Sequence, residues 1–252
     1  MNVKIIISLI RKATMKVSEK EKANTKRQNQ RKLLDRFIDR PVNLLIKHNV
    51  SPNSLSFIGF VFSIAAAFFI SIGGIYGRLG LYYPSNAIWS AWIVPFLMFW
   101  AGAFDVFDGE VARRTGHNSK AGAFLDSNLD RLSDAVIILG MIFGNLIDYL
   151  WGYILLFLVI MISYIRARAE NEGIEMKGIG FMERAERLII LWFGFITEFW
   201  IYYLSKLIYG SHFKLFFPIF IMLYTGLLIF TILKRILYSF KSLHKIDKEK
   251  SK

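Results

Sequence analysis

At 252 residues the chain is as long as one large soluble domain, yet 54% of it is hydrophobic, 16% is aromatic and the mean hydropathy is +0.41. Lys and Arg number 32 against 19 Asp and Glu, for a net charge of +13. A soluble domain of this size cannot hide that much apolar surface, a disordered chain does not contain it, and a nucleic-acid binder has no use for long apolar runs. The sequence has no cysteine, which excludes a disulfide framework, a thiolate metal site and a cysteine nucleophile. An all-α polytopic membrane protein with a basic aqueous face remains.

In chain order, Ile5–Ile10 is too short for the apolar core of a signal peptide and leads into a basic, polar segment, so no cleavable signal is expected. Residues 11–32 are rich in Lys, Arg, Gln and Asn. Leu33, Leu34, Phe37, Ile38, Val42, Leu44 and Leu45 then recur at helical spacing, with Arg36, Asp39 and Arg40 between them. This pattern predicts an amphipathic helix over residues 31–48, lying in the membrane interface and bent at Pro41.

A bilayer-spanning helix needs about 20 apolar residues. Six stretches meet or approach that length: Leu55–Gly74, Ala87–Phe104, Gly122–Ile147, Trp151–Ile165, Leu188–Leu204 and Phe213–Leu233. Of the Lys and Arg residues, 28 fall in the termini and the even-numbered loops, Arg131 lies toward the same end of the third span, and only Arg78, Lys206 and Lys214 fall opposite. This asymmetry predicts a multi-pass protein of the cell membrane with both termini cytoplasmic. The expected organisation is a basic N-terminal segment (1–50), a six-helix membrane domain (51–234) and a basic cytoplasmic tail (235–252). The aromatic-rich fifth and sixth spans read as faces for lipid or for a second copy, and a homodimer is expected.

The chemistry lies in residues that a membrane span should not contain. Asp105, Asp108, Asp126 and Asp130 stand at the cytoplasmic ends of the second and third spans. An uncompensated carboxylate inside a span costs roughly 2.5–3.5 kcal/mol, so four within 26 residues need a common partner. At about 100° per residue, Asp105, Asp108 and Ala112 share one helix face, with Gly109 beside them. Gly122, Asp126 and Asp130 share a face of the next helix. Two acidic stripes on adjacent antiparallel helices, each beside a residue with almost no side chain, predict a cation site with room for a bulky ligand. Oxygen-only donors indicate a hard cation, Mg²⁺ or Mn²⁺, and four carboxylates are best used by two ions. Arg113, Arg114 and Lys120, between the stripes, suit a phosphorylated ligand. Buried salt bridges among the same residues are the structural alternative, and they leave the neighbouring glycines unexplained.

A second basic cluster, Arg166, Arg168, Arg184 and Arg187, is expected on the same membrane face. Lipid headgroups could account for it. Arg184 and Arg187, spaced i, i+3 at the start of the fifth span, also suit a clamp on a doubly charged phosphate. His117 reads as an exposed loop residue, Glu198 as a dimer or helix–helix contact, and Asp134 equally as support for Asp130 or as a structural hydrogen bond.

The run from Asp105 to Asp130, DVFDGEVARRTGHNSKAGAFLDSNLD, resembles the signature of the CDP-alcohol phosphotransferases, D-x2-D-G-x2-A-R-x8-G-x3-D-x3-D, at every fixed position. The resemblance implies two divalent ions, usually Mg²⁺, held by Asp105, Asp108, Asp126 and Asp130, with Asp130 also the general base. It further implies a CDP-alcohol site at Gly109, Ala112, Arg113, Ser119 and Gly122, with Pro52, Asn53, Ser54 and Leu55 packing over the nucleotide. The segment Ser163–Ile190 resembles the subgroup that makes phosphatidylinositol phosphate or archaetidylinositol phosphate. By that resemblance Arg166, Arg184 and Arg187 hold the phosphate of the acceptor; Arg166 departs from the Lys found in many bacterial members. The implied reaction joins a CDP-linked lipid to inositol phosphate at the cytoplasmic face, with membrane lipids as surroundings and no nucleic acid as partner. Other assignments for the same residues are a CDP-inositol:inositol-phosphate transferase, a glycerol-phosphate phosphatidyltransferase and a divalent-cation transporter.

Overall fold

The structure, a computed structural model, describes residues 38–72, 84–117, 119–176, 178–211, 213 and 215–250. All regular structure among them is helical. Helix α1 covers residues 38–47; α2 is Pro52–Ser71, α3 Pro84–Thr115, α4 Lys120–Phe143, α5 Tyr149–Asn171, α6 Arg184–Tyr209 and α7 Phe216–Lys250. Five of these are long and apolar enough to cross a membrane: α2, α3 from Trp92, α5, α6 and α7. Helix α4 has the length, but Asp126, Asp130, Arg131 and Asp134 make it too polar to count among them. It is the helix on which the sequence places half of the acidic site.

Helix boundaries follow local chemistry. Ser51, Ser119 and Asp148 accept hydrogen bonds from the backbone N–H groups of Ser54, Gly122 and Trp151, capping α2, α4 and α5. Pro52 adds the preset φ suited to a first helical turn. Gly210, at φ 68°, closes α6 in the left-handed conformation.

Each long helix packs on two others, so the six close into a ring in the order α2, α3, α6, α7, α5, α4. The backbones of α3 and α4 do not touch among the described residues; their acidic stripes face each other across a gap, as expected, and meet through side chains. Helix α2 lies against both, and its small residues permit close approach. A Cβ on Gly140 would stand 2.6 Å from the Ala67 carbonyl oxygen, and one on Gly59 3.2 Å from that of Ala101. A cleft lies beyond these contacts, among the N-terminal ends of α2 and α4 and the C-terminal end of α3.

The main core runs through the middle of the ring, with Ile70, Met141, Leu155, Ile162, Phe195, Phe217 and Leu228 almost completely buried. The aromatic residues of α6 and α7 thus point partly inward: Phe195 stacks on Phe217 with centroids 5.8 Å apart. Large apolar side chains also cover the outside, among them Phe57, Phe96, Phe157, Phe193, Leu223 and Phe230. A water-soluble protein does not expose that much apolar surface; a bilayer solvates it.

Of the expected amphipathic helix, residues 31–37 lie outside the described residues. The remainder continues through Pro41, and Val42 is fully buried against Leu55 and Val111. Arg114 ties α1 down by donating to Asp39 (2.5 Å) and Asn43 (3.1 Å). At the other terminus the expected boundary at 235 has no structural counterpart, because α7 runs unbroken for 35 residues, about 50 Å. Its extension packs Leu243 against Ala169, Ile174 and Met176, and Arg235 is 2% exposed.

Candidate active site

The cleft opens where α2, α4 and α6 begin and α3 and α5 end. On one side lies a cavity of about 210 Å³ lined by Pro52, Asn53, Ser56, Asp108, Gly109, Ala112, His117, Ser119, Gly122, Ala123 and Asp126. Its walls come from α2, α3, α4 and the α3–α4 loop. A Cβ on Gly109 would meet nothing within 4 Å, so the glycine leaves open space. A Cβ on Gly122 would lie 3.0 Å from Ser119 Oγ and 3.2 Å from Asn53 Oδ1, so here the glycine allows α2 and α4 to meet.

At the inner wall, Asp105, Asp108 and Asp126 offer carboxylate oxygens that all lie within 4.8 Å of one another. Three carboxylates held this close repel unless a cation joins them, and an all-oxygen donor set fits a hard divalent ion. Ser56 donates to Asp108 at 2.5 Å, fixing one carboxylate from α2. Asp130 is outside this triad. Its Oδ1 is paired with Arg184 at 2.7 Å, and the same guanidinium nitrogen reaches Asp105 at 2.6 Å.

On the other side of Asp126 lies a second cavity, of about 330 Å³ and opposite character. Arg131, Arg166, Arg184, Arg187 and Arg235 line it, together with Ser163 and the carboxylates of Asp126, Asp130, Asp134 and Glu170. Arg166 pairs with Glu170 at 2.9 Å, and Arg187 with the buried Asp134 at 2.7 Å. Arg235 comes from α7 and donates to the carbonyl oxygens of Ile179 (2.9 Å) and Ile162 (2.8 Å), holding the α5–α6 loop over this side of the cleft. A smaller cavity, bordered by Ser56, the four motif aspartates and Arg184, lies between the two large ones.

The structure therefore brings together Pro52, Asn53, Gly109, Ala112, Ser119 and Gly122 as expected neighbours, with Asp108 and Asp126. It does not bring all the expected residues there. Ser54 is turned to Ser51, its hydroxyl 2.8 Å from that of Ser51, and Leu55 is buried beneath α1; helical rotation points both away from the cavity that Pro52 and Asn53 line. Arg113 pairs with Glu110 and donates to the Gly109 carbonyl oxygen at 3.4 Å, outside the cavity lining. Arg187 shares a cavity with Arg184 but is only 4% exposed and is bonded to Asp134. Glu198 is fully buried within the chain, which places it away from any surface between copies.

Lining residues not singled out for this role from sequence include Ser56, His117, Arg131 and Arg235. Ser56 carried a faint signal, a hydroxyl one turn beyond Pro52 on the same helix face. Arg235 had none, because a basic residue at the end of a span is expected anyway.

Residues 49–233 match the sequence model of the CDP-alcohol phosphatidyltransferase family. The chain belongs to this family. Relatives include the archaetidylinositol phosphate synthases of Methanothermobacter thermautotrophicus, 47% identical over 102 residues, and Pyrococcus horikoshii, 37% identical over 155. These matches cover 40% and 61% of this chain, and 52% and 73% of the relatives. The chain thus spans about half the length of the first relative. Among solved structures, the phosphatidylinositol phosphate synthase of Mycobacterium tuberculosis with CDP-DAG bound superposes with a TM-score of 0.59 at 25% identity, over 81% of this chain and 94% of that one. The same enzyme has been crystallised with manganese and citrate, with the same TM-score and identity, over 88% of that chain.

Proposed function

We propose that this chain transfers a phosphatidyl or archaetidyl group from a CDP-linked lipid to the hydroxyl of inositol phosphate, releasing CMP. The observation that carries this reading is the pairing of two chemically opposed cavities on either side of Asp126, with Asp130 between them. One has small residues and acids, suited to a nucleotide diphosphate with a counter-ion. The other sets five arginines against four carboxylates, an excess of positive charge suited to an acceptor that is itself an anion. A neutral alcohol has no need of them.

In this assignment Pro52, Asn53, Gly109, Ala112, Ser119 and Gly122 shape the donor site, and Arg113 neutralises its open edge. Asp105, Asp108 and Asp126 hold a divalent ion, which we assign as Mg²⁺ with Mn²⁺ as substitute; a second ion would draw on Asp130. A bound ion supplies neutralising charge for the diphosphate and for the leaving CMP. Arg166 and Arg184, with Arg235, hold the acceptor phosphate, and Arg187 lies at the floor of the same cavity. Asp130 takes the proton as the acceptor oxygen forms its bond to the β-phosphorus and the bond to CMP breaks. The lipid chains leave the cleft between the helices for the bilayer.

The Lys and Arg asymmetry supports a cytoplasmic orientation of this cleft and of both termini, with α4 as a sixth span. A homodimer belongs to the same proposal: the exposed apolar faces of α6 and α7, with Phe193 and Phe230, suit either lipid or a second copy. The deciding experiment supplies the purified protein in liposomes with Mg²⁺, a CDP-lipid and labelled inositol phosphate. The label is expected in the organic phase, with one CMP released per lipid formed. With CDP-inositol supplied in place of the CDP-lipid, label appearing in a soluble phosphodiester would mark CDP-inositol chemistry. Turnover with glycerol phosphate but not inositol phosphate would change the acceptor.

A further inference from the structure

Two ion pairs cross from α4 to α6, like rungs. Asp130 meets Arg184 at 2.7 Å, and one turn farther along both helices Asp134 meets Arg187, also at 2.7 Å. Among the described residues the backbones of α4 and α6 stay apart, so these side chains span the gap. The rungs differ in setting. The side chains of Arg184 and Asp130 are 20% and 24% exposed, whereas those of Arg187 and Asp134 are 4% and 7% exposed. Beneath the second rung lies an apolar pocket lined by Ile137, Met141, Leu155, Leu191 and Tyr224. The second rung is thus the polar floor of the arginine-lined cavity.

We infer that Arg187, held by Asp134, is a positioning residue that fixes the spacing of α4 and α6, and with it the placement of Asp130 against Arg184. The inference rests on the function proposed above. A buried charge stripped of its partner is strongly destabilising, so each member of the pair holds the other in place. The coupling to the reacting groups is short and stiff. Asp134 is four residues from Asp130, and Arg187 three from Arg184, so each member lies directly over its neighbour on one helix face. Any sliding or splaying at the floor is transmitted to the first rung. Misplacement of a reacting group by about 1 Å can cost about a hundredfold in rate, so the effect belongs in kcat. Binding of the acceptor phosphate is left to Arg166, Arg184 and Arg235, which line the cavity above the floor.

The test is a double-mutant cycle of Asp134→Asn, Arg187→Gln and the two combined, with kcat and the KM for inositol phosphate measured on folded protein. The double variant carries no unpaired buried charge, so it reports even where a single one misfolds. Each single substitution is expected to lower kcat about tenfold or more. The double variant should fall within about threefold of the worse single, because both remove the same rung. Acceptor KM should stay within about threefold of the wild type throughout. A tenfold rise in acceptor KM in Arg187→Gln and in the double variant, but not in Asp134→Asn, would make Arg187 a ligand and overturn the inference. Wild-type kcat in every folded variant would overturn it as well, leaving the pair only a contribution to stability. Were the wild type to use an unphosphorylated alcohol, the proposed function would fail; the same cycle, run on that alcohol, would still decide the role of Arg187.

Discussion

The two cavities share Asp126 as a wall, yet they are assembled in contrasting ways. The donor side draws most of its lining from one continuous stretch, Asp108 to Asp126, with the first turn of α2 closing over it. The acceptor side collects arginines from four helices spread from Arg131 to Arg235. A local site tolerates little change in sequence spacing, because each residue is placed by the helical turn that carries its neighbours. A distributed site depends on how the ring of helices closes. Variants on the two sides should therefore fail differently, the first through metal and nucleotide, the second through the acceptor.

The largest effect is expected at Asp130, which borders the acceptor cavity and the small cavity between the two sides. Asp130→Asn keeps the size of the side chain and one acceptor oxygen but cannot take the proton. General base catalysis contributes about 10²–10⁴-fold, so CMP release should fall to that extent while CDP-lipid binding stays within a fewfold of the wild type. Equal losses in turnover and donor binding would identify Asp130 chiefly as a metal ligand. Next in size, Asp108→Asn removes a member of the carboxylate triad. It should raise the Mg²⁺ or Mn²⁺ concentration needed for half-maximal activity by about tenfold or more and weaken donor binding in parallel; a metal titration followed by CMP release decides this. An unchanged titration curve would exclude the triad as the metal site.

On the acceptor side, Arg184→Ala should raise the KM for inositol phosphate at least tenfold, for a lost charge-assisted contact of about 1.5–3 kcal/mol. Because Arg184 also holds Asp105 and Asp130, kcat should fall with it; the KM for the CDP-lipid should change less than threefold. The smallest effect is expected away from both cavities. Arg114→Gln releases α1 from α3 by removing the bonds to Asp39 and Asn43, and should cost about 1 kcal/mol of stability as partly exposed contacts, read as a small drop in Tm with near-normal KM values.

The same contrast decides what the sequence could convey. The helical class, the apolar spans and the aspartates were legible because hydropathy and fixed spacing are one-dimensional signals. Gly109 and Gly122 were legible as space beside the acids, although the structure gives them separate tasks: one leaves the donor cavity open and the other lets α2 meet α4. Ser56, 52 residues from Asp108, reaches it only because α2 packs beside α3. In sequence Arg235 opens the basic cytoplasmic tail, and positive charge at a span's cytoplasmic end needs no further cause; its burial follows from the unbroken course of α7 against the α5–α6 loop. Arg184 and Arg187 shared a helix face as expected. Periodicity could not show that the facing helix carries Asp130 and Asp134 at matching height, nor that the ring order places α4 across from α6.

The division between the two sides is tested most directly by measuring both KM values, for CDP-lipid and for inositol phosphate, in Gly109→Val and Arg166→Gln side by side. A Cβ at Gly109 meets no neighbouring element within 4 Å and the residue lines the donor cavity, so Gly109→Val should fold and intrude on that cavity. Arg166 lines only the acceptor cavity, and its partner Glu170 is half exposed. The expected result is crossed: donor KM rises about tenfold in Gly109→Val with acceptor KM little changed, and the reverse holds in Arg166→Gln. Equal shifts of both KM values in both variants would contradict two separate sites meeting at Asp126 and Asp130.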